Sequence, residues 1–324
     1  MSKAIRIHKA GGPEVMQIED VAVASPGPGE VKLRQHAIGL NYIDVYFRTG
    51  QYPVAAYPFT PGNEGAGEVM AVGRGVKGFA EGDRVAYAGS LGGYAQERLI
   101  DPKFLVKIPD RITYETGAAM MLKGLTAQYL LRRTFRVKKG DTILVHAAAG
   151  GVGLILCQWA KALGVTVIGT VGSEEKAVLA RKAGAKHVIL YNTENFAERV
   201  KDITKGQLCD VVYDGVGKAT FPASLDCLAP LGTFVSFGSA SGPIDNFNLA
   251  LLSQKGSLYA TRPTLFTYIA KRDDLDKMAR ELIKVIMSGD VEIPIHATYK
   301  LEEAAKAHVA LEARSTTGAT ILLP

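Results

Sequence analysis

A glycine-rich segment, HAAAGGVG at residues 146–153, has the clearest chemical signature in the sequence. It follows the apolar run DTILVHAAA (141–149) and opens a stretch whose apolar residues recur at helical spacing. Against the pattern G-x-G-x-x-G, Ala148 holds the first position, Gly150 the second and Gly153 the third. A glycine at the second position lets the backbone approach a pyrophosphate, and one at the third lets the helix pack on the strand. The segment therefore predicts a dinucleotide site; the alternative is an ordinary strand–turn–helix.

The end of the next strand indicates which dinucleotide binds. NAD sites usually place Asp or Glu there to hold the ribose 2′-hydroxyl, whereas this chain has Val171 and Gly172. These small residues leave room for a 2′-phosphate, to which Ser173 can donate a hydrogen bond and Lys176 can supply positive charge. The glutamates at 174–175 would repel a phosphate if they faced it, but acids in a first helical turn are favoured by the helix dipole and can face solvent. The pattern favours NADPH; the alternative is that Lys176 is an ordinary surface lysine.

A parallel sheet has to position these residues, and the sequence from about residue 123 onwards has the pattern of one. Short apolar runs alternate with segments of helical spacing, with strands expected at 141–149, 165–170, 186–191, 209–214, 232–238 and 256–261, and helices at 151–164, 174–183, near 194–203 and near 218–228. This alternation predicts βαβ crossovers and a doubly wound parallel sheet. A long amphipathic helix (about 265–288), a strand, a helix at 301–313 and a last strand, GATILLP, follow.

Residues 1 to about 120 have a different pattern. Alternating runs at 30–38, 67–73, 83–87 and 94–100 are separated by the turn-forming segments PGPGE, GRGVKG and AEGD. They predict an antiparallel, barrel-like β domain, onto which we expect the C-terminal tail to pack. The fold class is therefore α/β with two domains, which suits a chain of 324 residues.

The composition argues against several classes of protein. Three widely spaced cysteines, Cys157, Cys209 and Cys227, form neither a disulfide framework nor a four-thiolate zinc site. The first residues lack the apolar run of a signal peptide, and no charge-free apolar stretch reaches the ~18 residues of a membrane span, so we expect a cytoplasmic protein. The net charge of +6 would suit nucleic acid, but the basic residues are scattered singly or in pairs, as on a solvated surface.

Five separated motifs resemble one known family. They are AIGLNYIDVYFRTGQYP (37–53), PGNEGAGEV (61–69), KGLTAQYLL (123–131), HAAAGGVG (146–153) and VVYDGVG (211–217). The chain resembles the NADPH:quinone oxidoreductases of the zeta-crystallin type, in the medium-chain dehydrogenase/reductase superfamily. The resemblance implies a GroES-like catalytic domain (1–123 and 263–324) and a Rossmann domain (124–262) that binds NADPH. It also implies hydride transfer from the nicotinamide to a quinone in the interdomain cleft.

The sequence departs from the zinc-dependent members of that superfamily. In the zinc alcohol dehydrogenases a Cys lies near the place of Asn41, and a G-H-E triplet supplies a His and an acid where this chain has Gly62, Asn63 and Glu64. Asn is a poor ligand for zinc, and none of the six histidines lies at paired ligand spacing. We therefore expect no metal site and, without zinc to polarise an alcohol, no alcohol oxidation.

The resemblance places the reacting end of the site around Asn41. The amide of this residue can both donate and accept hydrogen bonds, which suits either a carboxamide or a substrate carbonyl. Tyr46 and Tyr52 match pocket tyrosines of the family: a ring can stack on a quinone, and a phenol could hydrogen-bond the oxyanion left by hydride transfer. Asn41, Tyr46 and Tyr52 are therefore the candidate catalytic residues. The alternatives are an Asn that stabilises a turn and aromatic residues that pack the core.

Further cofactor contacts follow from matching motifs. Tyr191 is placed to cover the adenine or its ribose, and Arg314 could pair with the 2′-phosphate. The whole set of expected cofactor-binding residues is Asn41, Tyr42, Ile43, Asp44, Tyr129, Gly150, Gly151, Val152, Gly153, Gly172, Ser173, Lys176, Tyr191, Gly215, Val216, Phe237, Gly238, Pro263, Thr264, Leu265 and Arg314.

Two other functions stay open at this point. The first keeps the fold and makes the substrate an activated alkene, such as an enal or enone. The second is an NADPH-responsive RNA-binding protein, which the basic pI of about 9.0 and RNA-binding members of the family motivate. By analogy with relatives we also expect a homodimer, in which an apolar edge strand at 256–262 extends the sheet across a two-fold axis.

Overall fold

A computed structural model describes residues 1–313 and 315–324. The chain divides into two compact units. The first unit consists of Met1–Leu125, Ile269–Ile283 and Ile293–Pro324, and the second of Thr126–Tyr268 and Lys284–Glu292. The domain boundaries expected from the sequence, 123/124 and 262/263, stay a prediction.

The described residues form strands β1 (Ser2–Ile7), β2 (Met16–Val21), β3 (Val31–Leu40), β4 (Glu64–Val72), β5 (Arg84–Ala88), β6 (Glu97–Ile100), β7 (Leu105–Lys107), β8 (Thr142–Val145), β9 (Thr166–Val171), β10 (His187–Leu190), β11 (Cys209–Asp214), β12 (Leu228–Ser236), β13 (Tyr259–Thr261), β14 (Ile295–Lys300) and β15 (Ala319–Leu323). Their α-helices are α1 (Tyr42–Arg48), α2 (Tyr114–Tyr129), α3 (Gly151–Ala162), α4 (Glu174–Lys182), α5 (Phe196–Ile203), α6 (Ala250–Gln254), α7 (Leu265–Tyr268), α8 (Arg272–Met287) and α9 (Ala304–Glu312). Short 3-10 helices occupy Pro13–Val15, Pro102–Phe104, Ala223–Cys227 and Leu301–Glu303, and a π-helical turn, Leu130–Thr134, follows α2.

The second unit contains a six-stranded parallel sheet in the order β10-β9-β8-β11-β12-β13. This is the strand order of the doubly wound dinucleotide-binding fold, which has its switch point between the first and fourth strands. The strands are short apolar runs because helices cover both faces of such a sheet. Leu144, Ile168, Ile189, Val212 and Phe234 come from five of them and share one buried cluster. The predicted parallel sheet is therefore confirmed.

The first unit is built on a seven-stranded sheet in the order β14-β15-β3-β4-β5-β7, with β6 also pairing with β3. All its pairs are antiparallel except β14 with β15. Alternate residues of the strands face inwards, among them the fully buried Val31, Leu33, Val69 and Val85.

Several predicted elements differ from those observed. The strand expected at 141–149 ends at Val145, because the chain turns at Ala147, where φ is +53°. The helix expected near 218–228 is only the 3-10 helix Ala223–Cys227, since Pro222 directly before it cannot donate a backbone hydrogen bond. The helix expected at 265–288 is two helices, α7 and α8, and the one at 301–313 is a 3-10 turn followed by α9.

Two helices in the first 130 residues were not predicted. Helix α2 has no polar stripe that would mark it as amphipathic, because it is buried on several sides through residues such as Met120, Met121 and Leu125. Helix α1 lies in an aromatic segment with the composition of a strand. Among the described residues, no helix is both long enough and apolar enough to cross a bilayer.

Candidate functional site

The glycine-rich segment forms a tight turn between β8 and α3. Gly150 N donates to Ala147 O at 2.9 Å, and the first helical hydrogen bond runs from Leu154 N to Gly150 O, also at 2.9 Å. The N–H groups of Gly151, Val152 and Gly153 belong to the first turn, where a helix offers no acceptor. Within the described residues no side chain caps this end of α3. The turn is therefore suited to an anion such as a pyrophosphate.

The positions of the glycine pattern have different local surroundings. A Cβ on Gly153 would lie 2.4 Å from Ala147 O, so that only glycine fits the close packing of α3 on the turn. A Cβ on Gly150 would meet only Ala147 O, at 3.2 Å. At the first position, Ala148 packs opposite Gly169, where a Cβ would lie 2.7 Å from the Ala148 Cβ. The pattern therefore tolerates Ala148 because the facing strand supplies a glycine.

In the segment after β9, both glutamates near the expected 2′-phosphate site have partners within the protein. Ser173 is the N-cap of α4, and its Oγ accepts from Lys176 N at 3.4 Å. Glu174 pairs with Arg181 at 2.8 Å. The Ser173 hydroxyl also hydrogen-bonds Glu175, which lowers the pKa of that carboxyl group. Each glutamate thus has a partner on its own helix, and Lys176 stands in the same first turn.

Tyr191 comes together with Gly172, as two of the expected cofactor residues should. A Cβ on Gly172 would lie 2.7 Å from the Tyr191 hydroxyl oxygen, so glycine makes room for the ring. Tyr191 itself is 44% exposed. Sequence reasoning missed Asn192, whose Nδ2 donates to Gly172 O at 2.7 Å and joins the ends of β9 and β10. Its position directly after a predicted strand was the available signal.

The loops after β11 and β12 also meet. A Cβ on Gly238 would lie 2.5 Å from Gly215 O, and a Cβ on Gly215 would lie 3.0 Å from the Phe237 ring. Beneath them the buried Asp214 accepts from Val216 N at 2.7 Å and from Gly217 N at 3.0 Å. Asp214 was not singled out from the sequence, although a carboxylate ending a buried strand needs such partners.

The other expected cofactor residues of the second unit are Tyr129, Pro263, Thr264 and Leu265. Tyr129 is buried and stacks on Tyr268, with ring centroids 4.3 Å apart. Pro263 and Leu265 are buried and Thr264 is exposed, in the segment that starts α7. Arg314 lies outside the described residues. Cofactor contacts of these residues stay a prediction.

In the first unit, Asn41 is the N-cap of α1 and its side chain is buried. The amide Nδ2 donates to Glu64 Oε2 at 2.8 Å and, more weakly, to Gly39 O at 3.3 Å. Glu64 is fully buried and accepts from Leu122 N at 2.7 Å through Oε1 and from Lys123 Nζ at 3.1 Å through Oε2. Asn41 is thus tied to a buried ion pair, of which sequence reasoning missed Lys123.

Asp44, in the first turn of α1 after Asn41, is fully buried. It accepts from Asn41 N at 2.9 Å, Asn63 Nδ2 at 2.9 Å and Tyr94 Oη at 3.2 Å. Burial raises the pKa of Asp44 to about 6, against the lowering effect of these hydrogen bonds. The carboxylate of Asp44 therefore faces protein groups, and its expected contact with a cofactor stays a prediction.

The hydrogen bonds continue from Asp44 to helix α9. His308 Nε2 lies 3.1 Å from Tyr94 Oη, and Arg48 Nη1 lies 3.1 Å from His308 Nδ1. Because a guanidinium has no acceptor, Nδ1 must accept and Nε2 must carry the proton. Burial and then the charge of Arg48 lower the pKa of His308 to about 3. Arg48 also forms a bidentate pair with Glu312, at 2.7 and 2.9 Å.

The tyrosines expected in the substrate pocket form an aromatic group on and after α1. The ring centroids of Tyr42 and Tyr46 are 5.5 Å apart, and those of Tyr46 and Tyr52 are 5.1 Å apart. Tyr46 is buried, whereas Tyr52 and Ile43 are half-buried. Tyr46 and Tyr52 are thus brought together, and their role toward a substrate stays a prediction.

The residues at the expected ligand positions of zinc relatives are engaged with protein groups. Asn41 donates to Glu64 and Asn63 donates to Asp44. Across residues 1–313 and 315–324, no group of three or more His, Cys, Asp or Glu side chains could hold a metal ion.

Comparison with known proteins gives full-length matches. Family models described as a zinc-binding dehydrogenase and an alcohol dehydrogenase GroES-like domain match residues 151–283 and 27–110. A quinone oxidoreductase of Pseudomonas aeruginosa is 56% identical over 100% of both chains. The solved Escherichia coli quinone oxidoreductase complexed with NADPH is 47% identical, with a TM-score of 0.98 over 99% of this chain and 100% of that one. A 2-haloacrylate reductase of Burkholderia sp is 46% identical over 100% of this chain and 99% of its own.

Proposed function

Because the chain belongs to the quinone oxidoreductase family of the medium-chain dehydrogenase/reductase superfamily, we propose that it reduces quinones with NADPH by hydride transfer. The observation that carries the cofactor part is the first turn of α3, whose N–H groups have neither a helical acceptor nor a side-chain cap among the described residues. The relative from Escherichia coli was solved with NADPH, which supports the same cofactor.

The residues present fit such a cofactor. The turn at Gly150–Gly153 would hold the pyrophosphate, since nothing but Ala147 O stands near a Cβ built on Gly150. Lys176 would hold the 2′-phosphate, because no acid occupies the place of Val171 and Gly172. Ser173 would add a hydrogen bond when its hydroxyl turns from Glu175 to the phosphate. When bound, the reduced nicotinamide supplies a hydride. This chain's own residues bind the cofactor and the substrate, orient them towards each other and exclude water.

On the substrate side we propose roles for three residues. Asn41 contacts the nicotinamide end of the cofactor, and Tyr46 and Tyr52 line the quinone pocket. The half-buried ring of Tyr52 packs on the buried ring of Tyr46 at an interplanar angle of 50°, and its remaining accessible face supports stacking on a quinone ring. A phenol O–H can stabilise the oxyanion that hydride transfer leaves on the substrate.

We also propose that no zinc takes part. The donor set supports this: the Glu64 carboxylate, which hydrogen-bonds the Asn41 side chain, already faces the Lys123 ammonium, the Asn41 amide and Leu122 N. Amide nitrogens and an ammonium group do not bind zinc.

A stopped-flow assay tests the proposed reaction. Mixing the protein and NADPH with 1,4-benzoquinone or a naphthoquinone should give oxidation of NADPH that depends on protein concentration. The control is heat-inactivated protein in the same buffer. A rate no higher than this control for every quinone would refute quinone reduction.

The second candidate function is reduction of an activated alkene. The observation that favours it is the 46% identity to a 2-haloacrylate reductase over the full length. The same assay decides between the two: turnover of 2-chloroacrylate or a 2-alkenal faster than that of every quinone would make the alkene the preferred substrate class.

We propose a homodimer that forms through the edge strand β13, whose residues are all exposed, including Tyr259 at 62%. We propose a cytoplasmic location, which the three free and buried cysteines support; cell fractionation would test it. RNA binding is the remaining alternative, and micromolar RNA affinity without NADPH oxidation would favour it over catalysis.

A further inference from the structure

The amide of Asn41 has a fixed orientation. Its Nδ2 faces Glu64 Oε2 at 2.8 Å and Gly39 O at 3.3 Å, and both of these atoms are acceptors. Turning the amide round would bring two oxygens together at each contact. The N–H groups are therefore used within the protein, and Asn41 can offer a ligand only its carbonyl oxygen.

Glu64 is itself held in place from three directions. Leu122 N and Lys123 Nζ donate to it at 2.7 and 3.1 Å, both from helix α2. On the third side lies Gly39, where a Cβ would come 2.3 Å from Glu64 Oε2. Glu64 is fully buried and the Lys123 side chain is 7% exposed, so the pair is largely shielded from water. Removing one charge would leave the other buried and unpaired, whereas removing both would not.

We propose that Glu64 and Lys123 are positioning residues for Asn41. They hold its amide so that the carbonyl oxygen, as an acceptor, receives a hydrogen bond from the carboxamide N–H₂ of the nicotinamide. This inference rests on the proposed function, since it takes NADPH as the ligand and Asn41 as its neighbour. It assigns a direction to a hydrogen bond that the amide alone leaves undetermined.

The test compares two cofactors that differ at this group. NADP⁺ has a carboxamide, whereas its 3-acetylpyridine analogue has a methyl ketone without N–H. Wild-type protein should bind NADP⁺ about ten-fold more tightly than the analogue in calorimetry, as expected when an acceptor loses its donor. In Glu64→Gln the new side-chain N–H₂ faces groups that are themselves donors, which favours the opposite orientation of the Asn41 amide. This variant should bring the ratio of the two affinities to about one.

Matched variants separate positioning from general damage. Glu68→Gln makes the same change on the same strand, at a surface pair with Arg34, and should keep the wild-type ratio. Glu64→Met with Lys123→Met removes both buried charges at once and should lose the ratio even if the single variant does not fold. The fragment 2′,5′-ADP lacks the nicotinamide, so its Kd for all folded variants should stay within about two-fold of the wild-type value. A ten-fold change would mean a loss of about 1.4 kcal/mol of binding free energy at the other end of the cofactor.

The outcomes are distinct. If the folded double variant keeps the wild-type ratio, or if wild type binds both cofactors equally well, the proposal is overturned while NADPH binding stands. If wild type binds neither NADP⁺ nor 2′,5′-ADP, the proposed function fails, and this inference fails with it.

Discussion

Gly150 and Gly153 lie three residues apart in one turn and have different tasks. A Cβ on Gly153 would lie 2.4 Å from Ala147 O, so Gly153→Ala should destabilise the protein by about 1–3 kcal/mol through overpacking. Gly150 has φ of −78°, which alanine adopts freely, and its Cβ would lie 3.2 Å from the same oxygen. Gly150→Ala should therefore lower the melting temperature only slightly, yet weaken NADPH binding at least ten-fold by blocking the approach of a phosphate.

Thermal unfolding without ligand, followed by titration with NADPH, measures both effects. Gly140→Ala, at a surface turn where a Cβ would have open space but φ is +98°, controls for backbone strain without a ligand nearby. Equal loss of stability in Gly150→Ala and Gly153→Ala would show that the division of tasks is wrong.

We propose that Lys176 decides the preference for the phosphorylated cofactor. A charge-assisted hydrogen bond to a phosphate contributes about 1.5–3 kcal/mol, so Lys176→Ala should raise the Kd for NADPH about ten-fold or more. The Kd for NADH, which has no 2′-phosphate, should change less than about three-fold because it lacks this charge-assisted bond. Lys182→Ala, at the exposed last turn of the same helix, is the control for loss of a positive charge. Equal effects on NADPH and NADH would place Lys176 away from the 2′-phosphate.

Helices α1 and α9 are joined through His308, which makes this contact sensitive to acid. The folded protein keeps His308 neutral, with a pKa of about 3 against an ordinary 6.5. As the pH falls below 6.5 the unfolded chain takes up this proton first, so the free energy of unfolding decreases. Asp44 has the opposite sign, because its pKa is raised and it keeps its proton in the fold up to about pH 6.

Replacing the imidazole should therefore flatten the dependence of stability on pH. His308→Gln can still accept from Arg48 and donate to Tyr94, but it does not titrate. Between pH 7 and pH 4.5 the wild type should lose about 2–3 kcal/mol more than this variant in urea unfolding. His8→Gln, at an exposed pair with Glu19, should behave like wild type. Parallel curves for wild type and His308→Gln would show that His308 is not kept neutral.

The sequence predicted elements well where their periodicity reports burial on one side. The predicted strands of the antiparallel sheet follow this pattern, whereas those of the parallel sheet were recognised as short apolar runs. Helix α2, apolar nearly all round, has no period to detect, and the short strand β7 was not predicted. Hydrogen bonds run from Asp44 through Tyr94 to His308, and Arg48 pairs with Glu312, 264 positions away in the sequence. No local spacing of residues could predict contacts over such distances. Lys123 was visible within a motif, but its partner Glu64 becomes apparent only when α2 packs against β4.

The six-stranded sheet has an open edge at β13, and we propose that a second copy of the chain covers it. Every residue of this strand is exposed, and it pairs on one side only, with β12. A flat, unprotected edge invites pairing across a two-fold axis. Sedimentation of wild type should therefore show about twice the 34.6 kDa chain mass. Tyr259→Lys places a charge in that edge and should shift the equilibrium towards monomer.

A surface change elsewhere distinguishes edge pairing from general loss of apolar surface. Val309→Lys makes a similar change at an exposed position of α9 in the first unit and should leave the dimer intact. A wild-type species of single chain mass at micromolar concentration would contradict the dimer outright. A dimer that survives Tyr259→Lys and dissociates with Val309→Lys would move the interface from β13 to α9. The β13 interface requires the reverse, because backbone groups along one strand are what the second copy would pair with.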